Sequence, residues 1–280
     1  MSVSAQPTPS QPQPAHRPTA LITGASGGIG ESFARLLAAR RIDLVLVART
    51  ASKLEALAQE LSAAHGVQAV VIAQDLTHPD AAQNIETRVQ QLGLNIDFLI
   101  NNAGFASYGE FRTLPLRHEL DMIQVNIAAL TELTHRFLPG MVERRRGRVV
   151  NVASTAAFLP GPLMAVYYAS KAYVLSFSEA LNEEVRGSGV NVTALCPGPV
   201  ATGFQDRAQM QDSKLLDAGN PMLAPMMSAD EVAREGVEAM LAGQAVRVVG
   251  RMNKLQTLTP RFLPRSVLPR LIKQLQSRKP

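Results

Sequence analysis

The chain has 280 residues, 46% of them apolar and 18% charged, values that exclude a wholly disordered polymer and leave room for one large core. Its net charge of +5 is local: from Ala245 onward nine Lys or Arg residues stand without one acid, while the rest of the chain is slightly acidic. With no Trp and no spread of basic and aromatic residues along the body, this balance argues against a nucleic-acid enzyme.

Met1–Pro18, rich in Pro, Gln, Ser and Thr, contains no apolar run and is expected to be a disordered leader. It lacks the basic start and apolar stretch of a secretory signal, and no later segment offers the roughly 18 apolar residues of a membrane span. The single cysteine, Cys196, allows no internal disulfide, and its place at a strand end predicts buried packing rather than a nucleophile. These features predict a cytoplasmic protein.

After the leader, short β-branched runs alternate with longer segments of helical periodicity. Strands are predicted at Ala20–Thr23, Asp43–Ala48, Gln68–Ala73, Phe98–Asn101, Arg148–Ala153, Asn191–Leu195 and Val246–Val249. Helices are predicted at Ile29–Ala39, Lys53–Ala64, Ala81–Leu92, Leu116–Leu138, Val166–Val185 and Ala229–Leu241. The alternation predicts an α/β fold over residues 19–250, a doubly wound parallel seven-stranded sheet of the Rossmann type with helices on both faces. Gly203–Met227 lacks strand character, interrupts the alternation and reads as a loop or lid. Residues 251–280 form a basic C-terminal extension that interleaves Leu, Phe and Val with its cations. Its apolar side chains are expected to pack on the body or on a neighbouring subunit, with contact to an anionic membrane surface as the alternative.

In such folds ligands sit at the carboxyl ends of the strands, so the residues there are the candidates for chemistry. After the first strand runs Thr23-Gly24-Ala25-Ser26-Gly27-Gly28-Ile29-Gly30, where missing side chains let the backbone and a helix start approach a phosphate. The spacing is neither G-x-G-x-x-G nor a nucleoside-triphosphatase phosphate loop, since no Lys-Ser or Lys-Thr follows.

T-G-x-x-x-G-x-G at Thr23–Gly30, Asn101-Asn102-Ala103-Gly104 after the fourth strand, a Ser followed thirteen residues later by Y-x-x-x-K, and Pro197-Gly198 after the sixth strand together resemble the short-chain dehydrogenases/reductases, from about Thr19 to Gly250. The resemblance implies a catalytic tetrad of Asn126, Ser154, Tyr167 and Lys171. In it Tyr167 is the acid or base, Ser154 holds the substrate oxygen, Lys171 also reaches the nicotinamide ribose, and Asn126 holds a water in a proton relay. Residues four apart share a helix face, so Lys171 falls beside Tyr167. A positive charge about 5 Å away at an effective dielectric near 20 would lower a phenol by roughly two pKa units from about 10. Tyr168 also precedes Lys171 at a helical spacing, and spacing alone fits both tyrosines. The family pattern favours Tyr167 and leaves Tyr168 to the substrate pocket or the core.

The resemblance further assigns Gly24, Ser26, Gly28, Ile29 and Gly30 to the dinucleotide turn. Asp75 and Leu76 resemble an adenine pocket, with Asn102, Ala103 and Gly104 as its adjoining wall. Pro197, Gly198, Val200 and Thr202 resemble the segment that contacts the nicotinamide. An NAD-selective site places an acid after the second strand, where this chain has Ala48 and Arg49. Arg49 with Ser26 resembles a clamp on a 2′-phosphate, so NADP(H) is the expected cofactor. NAD(H) is expected to be accepted less well, because many NADP-binding relatives carry a further basic residue where this chain has Ser26-Gly27. No metal site is predicted.

The expected protein is an NADP(H)-dependent oxidoreductase acting on a carbonyl or alcohol, a homodimer or homotetramer paired through the helices that carry Asn126 and Tyr167. A non-catalytic NADP(H)-binding scaffold or redox sensor is the alternative, and the intact tetrad argues against it. Phe204, Met210, Leu215, Leu216, Met222, Leu223, Met226 and Met227 lie scattered through the lid, where Arg207 and Lys214 are separated and accompanied by Asp206, Asp212 and Asp217. They predict a lipophilic substrate, or else simply pack the lid on the domain.

Overall fold

The computed structural model describes residues 17–204, 208 and 226–277. Nearly all of the expected leader lies outside the described residues, as do Met210, Leu215, Leu216, Met222, Leu223 and the charged residues of the expected lid.

In chain order the main elements are β1 (Thr19–Thr23), α1 (Gly28–Ala39), β2 (Asp43–Ala48), α2 (Ala51–His65), β3 (Ala69–Ala73), α3 (Ala81–Gln91) and β4 (Phe98–Asn101). There follow α4 (Leu116–Ile123), α5 (Leu130–Glu143), β5 (Gly147–Val152), α6 (Ala165–Glu184) and β6 (Val190–Cys196). The last part holds the short strands β7 (Val200–Ala201) and β8 (Met227–Ser228), then α7 (Ala229–Leu241), β9 (Val246–Val248), α8 (Arg251–Leu258) and α9 (Leu268–Gln276).

Seven strands form one parallel sheet in the order β3-β2-β1-β4-β5-β6-β9. The order reverses between β1 and β4, and the crevice above that switch point is where such a sheet admits a ligand. Alternate residues of the central strands feed two cores. Ile22, Leu44 and Leu46 pack with Phe33 and Leu37 of α1, Leu54 of α2 and Val237 of α7. Leu21, Val45 and Val47 face the other way, onto Ile85 and Val89 of α3 and Leu133 and Met141 of α5. Burial on both faces is why these strands read as unbroken apolar runs. Ser228 starts α7 with a reciprocal cap: its hydroxyl accepts from Glu231 N, and the Glu231 carboxylate accepts from Ser228 N.

Two expectations need correction. The helix expected over Leu116–Leu138 is interrupted by a π-helical stretch at Gln124–Ala129 and then runs past Pro139 to Glu143. A π turn inserts a residue without moving the flanking apolar stripes off their faces, so periodicity hides it. The continuation past Pro139 is anchored by Met141, which is fully buried against Gly147. The basic tail, to which periodicity assigned no element, forms α8, a 3₁₀ turn at Thr259–Phe262, and α9.

Candidate active site

The turn after β1 is built so that backbone can meet a ligand. Gly24 and Gly28 have φ of 68° and 57°, a region that side chains with a Cβ enter at a cost. A Cβ at Gly30 would lie 2.4 Å from Gly24 O and 2.5 Å from Asn102 Nδ2, so this glycine serves close packing beneath the turn. Asn102 Nδ2 donates to Thr23 O at 2.9 Å and to Gly24 O, while Thr23 Oγ1 accepts from the backbone N of Asn102 and of Ala103, both at 3.0 Å. The loops after β1 and β4 are therefore one hydrogen-bonded unit. Gly27 caps α1 without a side chain, which leaves the helix N-terminus open to an anion.

Arg49 and Thr50 after β2, and Gln74, Asp75 and Leu76 after β3, continue the same wall. Lys53, in the first turn of α2, joins them. Burial works against the Asp75 carboxylate, but hydrogen bonds from Thr77 and the charges of Arg49 and His78 outweigh it and hold its pKa below the ordinary value. The sequence reading missed Lys53, although a second cation four residues after Arg49 was its available signal.

Across the cleft, Ser154 stands two residues beyond β5 and caps a 3₁₀ turn at Thr155–Phe158, accepting from Ala156 N at 3.1 Å. Its side chain hydrogen-bonds Tyr167 of α6. Lys171, one turn further along α6, donates from Nζ to Val152 O at 2.7 Å and lies 5.8 Å from the centre of the Tyr167 ring. Asn126 lies in the π-helical stretch, where its Oδ1 accepts from Phe105 N at 3.2 Å. Its Nδ2 donates to Phe105 O at 3.0 Å and to Ser170 Oγ at 3.1 Å, and Ser170 Oγ in turn donates to Tyr167 O at 2.7 Å. The backbone at Gly104 passes between the two helices: a Cβ there would sit 3.0 Å from Asn126 Oδ1 and 3.5 Å from Lys171 Nζ.

These walls enclose one cleft of about 1070 Å³. Among the residues expected at the site, all but Gly30 and Asn126 line it. Gly30 lies under the turn, and Asn126 acts one layer back by clamping the backbone of Phe105. Gly198 is covered by α8, since a Cβ there would lie 2.5 Å from the side chain of Asn253. Thr202 reaches back toward the glycine turn, its Cγ2 standing 3.1 Å from where a Cβ on Gly28 would be.

Burial dominates the electrostatics. It pushes the Tyr167 phenol up to about 12, with the Ser154 hydrogen bond pulling the other way. Burial also brings the Lys171 ammonium down to about 8, opposed by Cys196. The expectation that Lys171 lowers Tyr167 is therefore not met by the protein's own groups: burial raises the phenol, and the opposing pull comes from Ser154. Burial likewise raises the Cys196 thiol to about 12, which fits packing and not nucleophilic chemistry.

The far half of the cleft was largely missed by the sequence reading. Leu159, Met164, Tyr168 and Phe204 line it together with Leu263, Leu268, Leu271, Ile272 and Leu275 of the tail. The Tyr168 hydroxyl accepts from Gln276 Nε2, and the Tyr108 hydroxyl donates to the main-chain oxygen of Gln276, so both tyrosines hold the end of α9 over the site. The apolar spacing Leu268, Leu271, Ile272, Leu275 was the available signal, masked by the cations between.

A family model described as short chain dehydrogenase matches residues 18–213. A very-long-chain 3-oxoacyl-CoA reductase from Bos taurus is 38% identical over 190 residues, covering 65% of this chain and 59% of that protein. The chain thus spans about three fifths of that relative's length. A solved short-chain dehydrogenase from Sphingobium yanoikuyae in complex with NADPH superposes with a TM-score of 0.76 at 34% identity, over 88% of this chain and 93% of that one. The bulky-bulky ketone specific alcohol dehydrogenase from Comamonas testosteroni gives a TM-score of 0.73 at 29% identity, over 88% and 93% of the two chains.

Proposed function

The chain belongs to the short chain dehydrogenase family, and so to the oxidoreductases, and from that premise we propose that it is an NADP(H)-dependent reductase of lipophilic carbonyl compounds, with Tyr167 as its acid. The observation that carries this reading is the buried Ser154–Tyr167–Lys171 group at the junction of two unlike halves of one cleft. One half is glycine backbone and cations, the other is aliphatic and aromatic.

The polar half fits a dinucleotide phosphate. The turn at Gly24–Gly28 and the open N-terminus of α1 suit a pyrophosphate, and Arg49 and Lys53 suit a 2′-phosphate. When bound, the nicotinamide supplies or accepts the hydride. The remaining chemistry falls to the chain's own groups. A carbonyl oxygen placed beside Ser154 and Tyr167 receives two hydrogen bonds, and the phenol gives up its proton as negative charge develops on that oxygen. A phenol held near 12 keeps its proton until then. Lys171, with a pKa near 8, stabilises the phenolate left behind and can return a proton to it. Asn126 supports the step by fixing the Phe105 backbone and, through Ser170, the turn of α6 that carries Tyr167.

The apolar half favours a lipophilic substrate, such as a medium-chain aliphatic, aromatic or steroid-like ketone or alcohol. The similarity to a very-long-chain 3-oxoacyl-CoA reductase and to a bulky-bulky ketone specific alcohol dehydrogenase supports the same choice. We further propose that two copies pair through the face of α4 and α6, where Leu116, Leu120, Ile123 and Tyr173 are exposed.

The test is Tyr167→Phe. It is expected to abolish turnover while NADPH binding, read by cofactor fluorescence, stays within a few fold of wild type. Tyr168→Phe is expected to retain turnover. A fully active Tyr167→Phe enzyme would sink the mechanism.

A further inference from the structure

Helix α8 is built inside out. Its buried residues are Asn253 and Thr257, at 2% and 8% exposure, whereas Met252, Leu255 and Leu258 stand 47%, 64% and 45% exposed. Their polar groups are met locally: Asn253 Nδ2 donates to Val249 O, just before the helix, at 2.7 Å, and Thr257 Oγ1 donates within the helix to Lys254 O at 2.9 Å. Beyond α8, Phe262 is 83% and Val267 47% exposed. Single exposed apolar residues are ordinary on any protein, but five large ones within residues 252–267 form a patch.

Residues 251–273 also expose Arg251, Lys254, Arg265, Arg270 and Lys273, and the chain from Ala245 onward contains no acid. Its inner side, through Pro260, Leu263, Leu271 and Leu275, forms the apolar wall of the cleft. The segment therefore has an apolar inner surface over the site and an outer surface that is both apolar and cationic.

We propose that this outer surface docks on an anionic phospholipid bilayer, with Met252, Leu255, Leu258, Phe262 and Val267 entering the interface and the five cations against the headgroups. A bilayer surface offers an apolar phase beside negative charge, which is the complement of this patch. A second copy is the weaker occupant, because a two-fold interface sets a patch against itself and here would oppose cations that have no acid to meet. Docking does not depend on the chemistry assigned to Tyr167. Where the reductase reading also holds, it would place the apolar end of the cleft beside the phase in which a lipophilic substrate dissolves.

The experiment is co-sedimentation of the full chain with phosphatidylcholine vesicles, with and without about 30% phosphatidylserine. Binding is expected on the anionic vesicles, at least tenfold weaker on the neutral ones, and weaker as salt rises. The double variants L255E/F262E and K254E/R265E should each lower binding at least tenfold, and each should turn over a water-soluble ketone at the wild-type rate. Failure of the wild type to bind anionic vesicles would overturn the proposal, as would equal binding by both variants. So would a fall in oligomer size on L255E/F262E in sedimentation velocity, which would assign the patch to a second copy.

Discussion

In the proposed function cofactor choice turns on Arg49, which follows β2 on the wall of the cleft together with Lys53, with no acid between them in the sequence. Arg49→Asp is expected to lower the ratio of kcat/KM for NADPH to that for NADH at least tenfold. A charge-assisted contact contributes about 1.5 to 3 kcal/mol, and the substitution replaces it with repulsion. An unchanged ratio would remove Arg49 from the clamp. At this scale the polar half of the cleft was legible, because its residues follow strand ends in a doubly wound fold and strand ends are visible as the edges of β-branched runs. The depth of each group was not legible. Spacing placed Lys171 beside Tyr167 correctly, but only the packed structure shows both so buried that desolvation sets their pKa values. The same holds for Gly30 and Asn126, whose motif positions give no sign that they lie one layer behind the wall.

Elements meet closely where α7 crosses α1. A Cβ on Gly236 would lie 2.6 Å from Phe33 Cζ and 2.9 Å from Leu195 Cδ2, both in a fully buried environment. Gly236→Val is therefore expected to destabilise the fold by about 1 to 3 kcal/mol, the usual range for overpacking a core, read as a lower midpoint in chemical denaturation. A wild-type midpoint would show that α7 can shift without cost. Helix α9 makes a different prediction, since Leu271 and Leu275 line the apolar half of the cleft. Across a homologous series of neutral ketones, kcat/KM should rise roughly tenfold for every two methylenes, at about 0.8 kcal/mol per methylene buried. In Leu271→Ala that rise should flatten for the longer members while the shortest ketone is little affected. A flat series in the wild type, or small anionic keto acids outperforming every ketone, would refute the lipophilic substrate. The body helices and the seven strands of the main sheet were readable because each presents one or two apolar faces at a fixed period. The π turn at Gln124–Ala129 left those faces in register and so left no trace, and α8 was hidden because it breaks the rule that apolar residues turn inward.

For the whole molecule, the proposed pairing of two copies rests on the face of α4, where Leu116, Leu120 and Ile123 are 64%, 50% and 39% exposed and fall on one side of the helix. Leu120→Glu is expected to convert a dimer into a monomer in sedimentation velocity, because a two-fold interface brings the new charge against its own copy. A wild-type monomer, or an unaffected assembly, would move the interface elsewhere. The small sheet of β7 and β8 has a separate consequence. Val200 pairs with Met227 and Ala201 with Ser228, so the chain leaves the main sheet and returns to the same point. The two ends of the intervening loop are thereby held together by a two-strand clasp. Loop closure entropy grows only by about 0.6 kcal/mol for each doubling of length. Exchanging the span between Ala201 and Met227 for one of another length would therefore keep its two ends together but would alter the cleft itself at Thr202 and Phe204, the latter 5.5 Å from the Tyr167 ring.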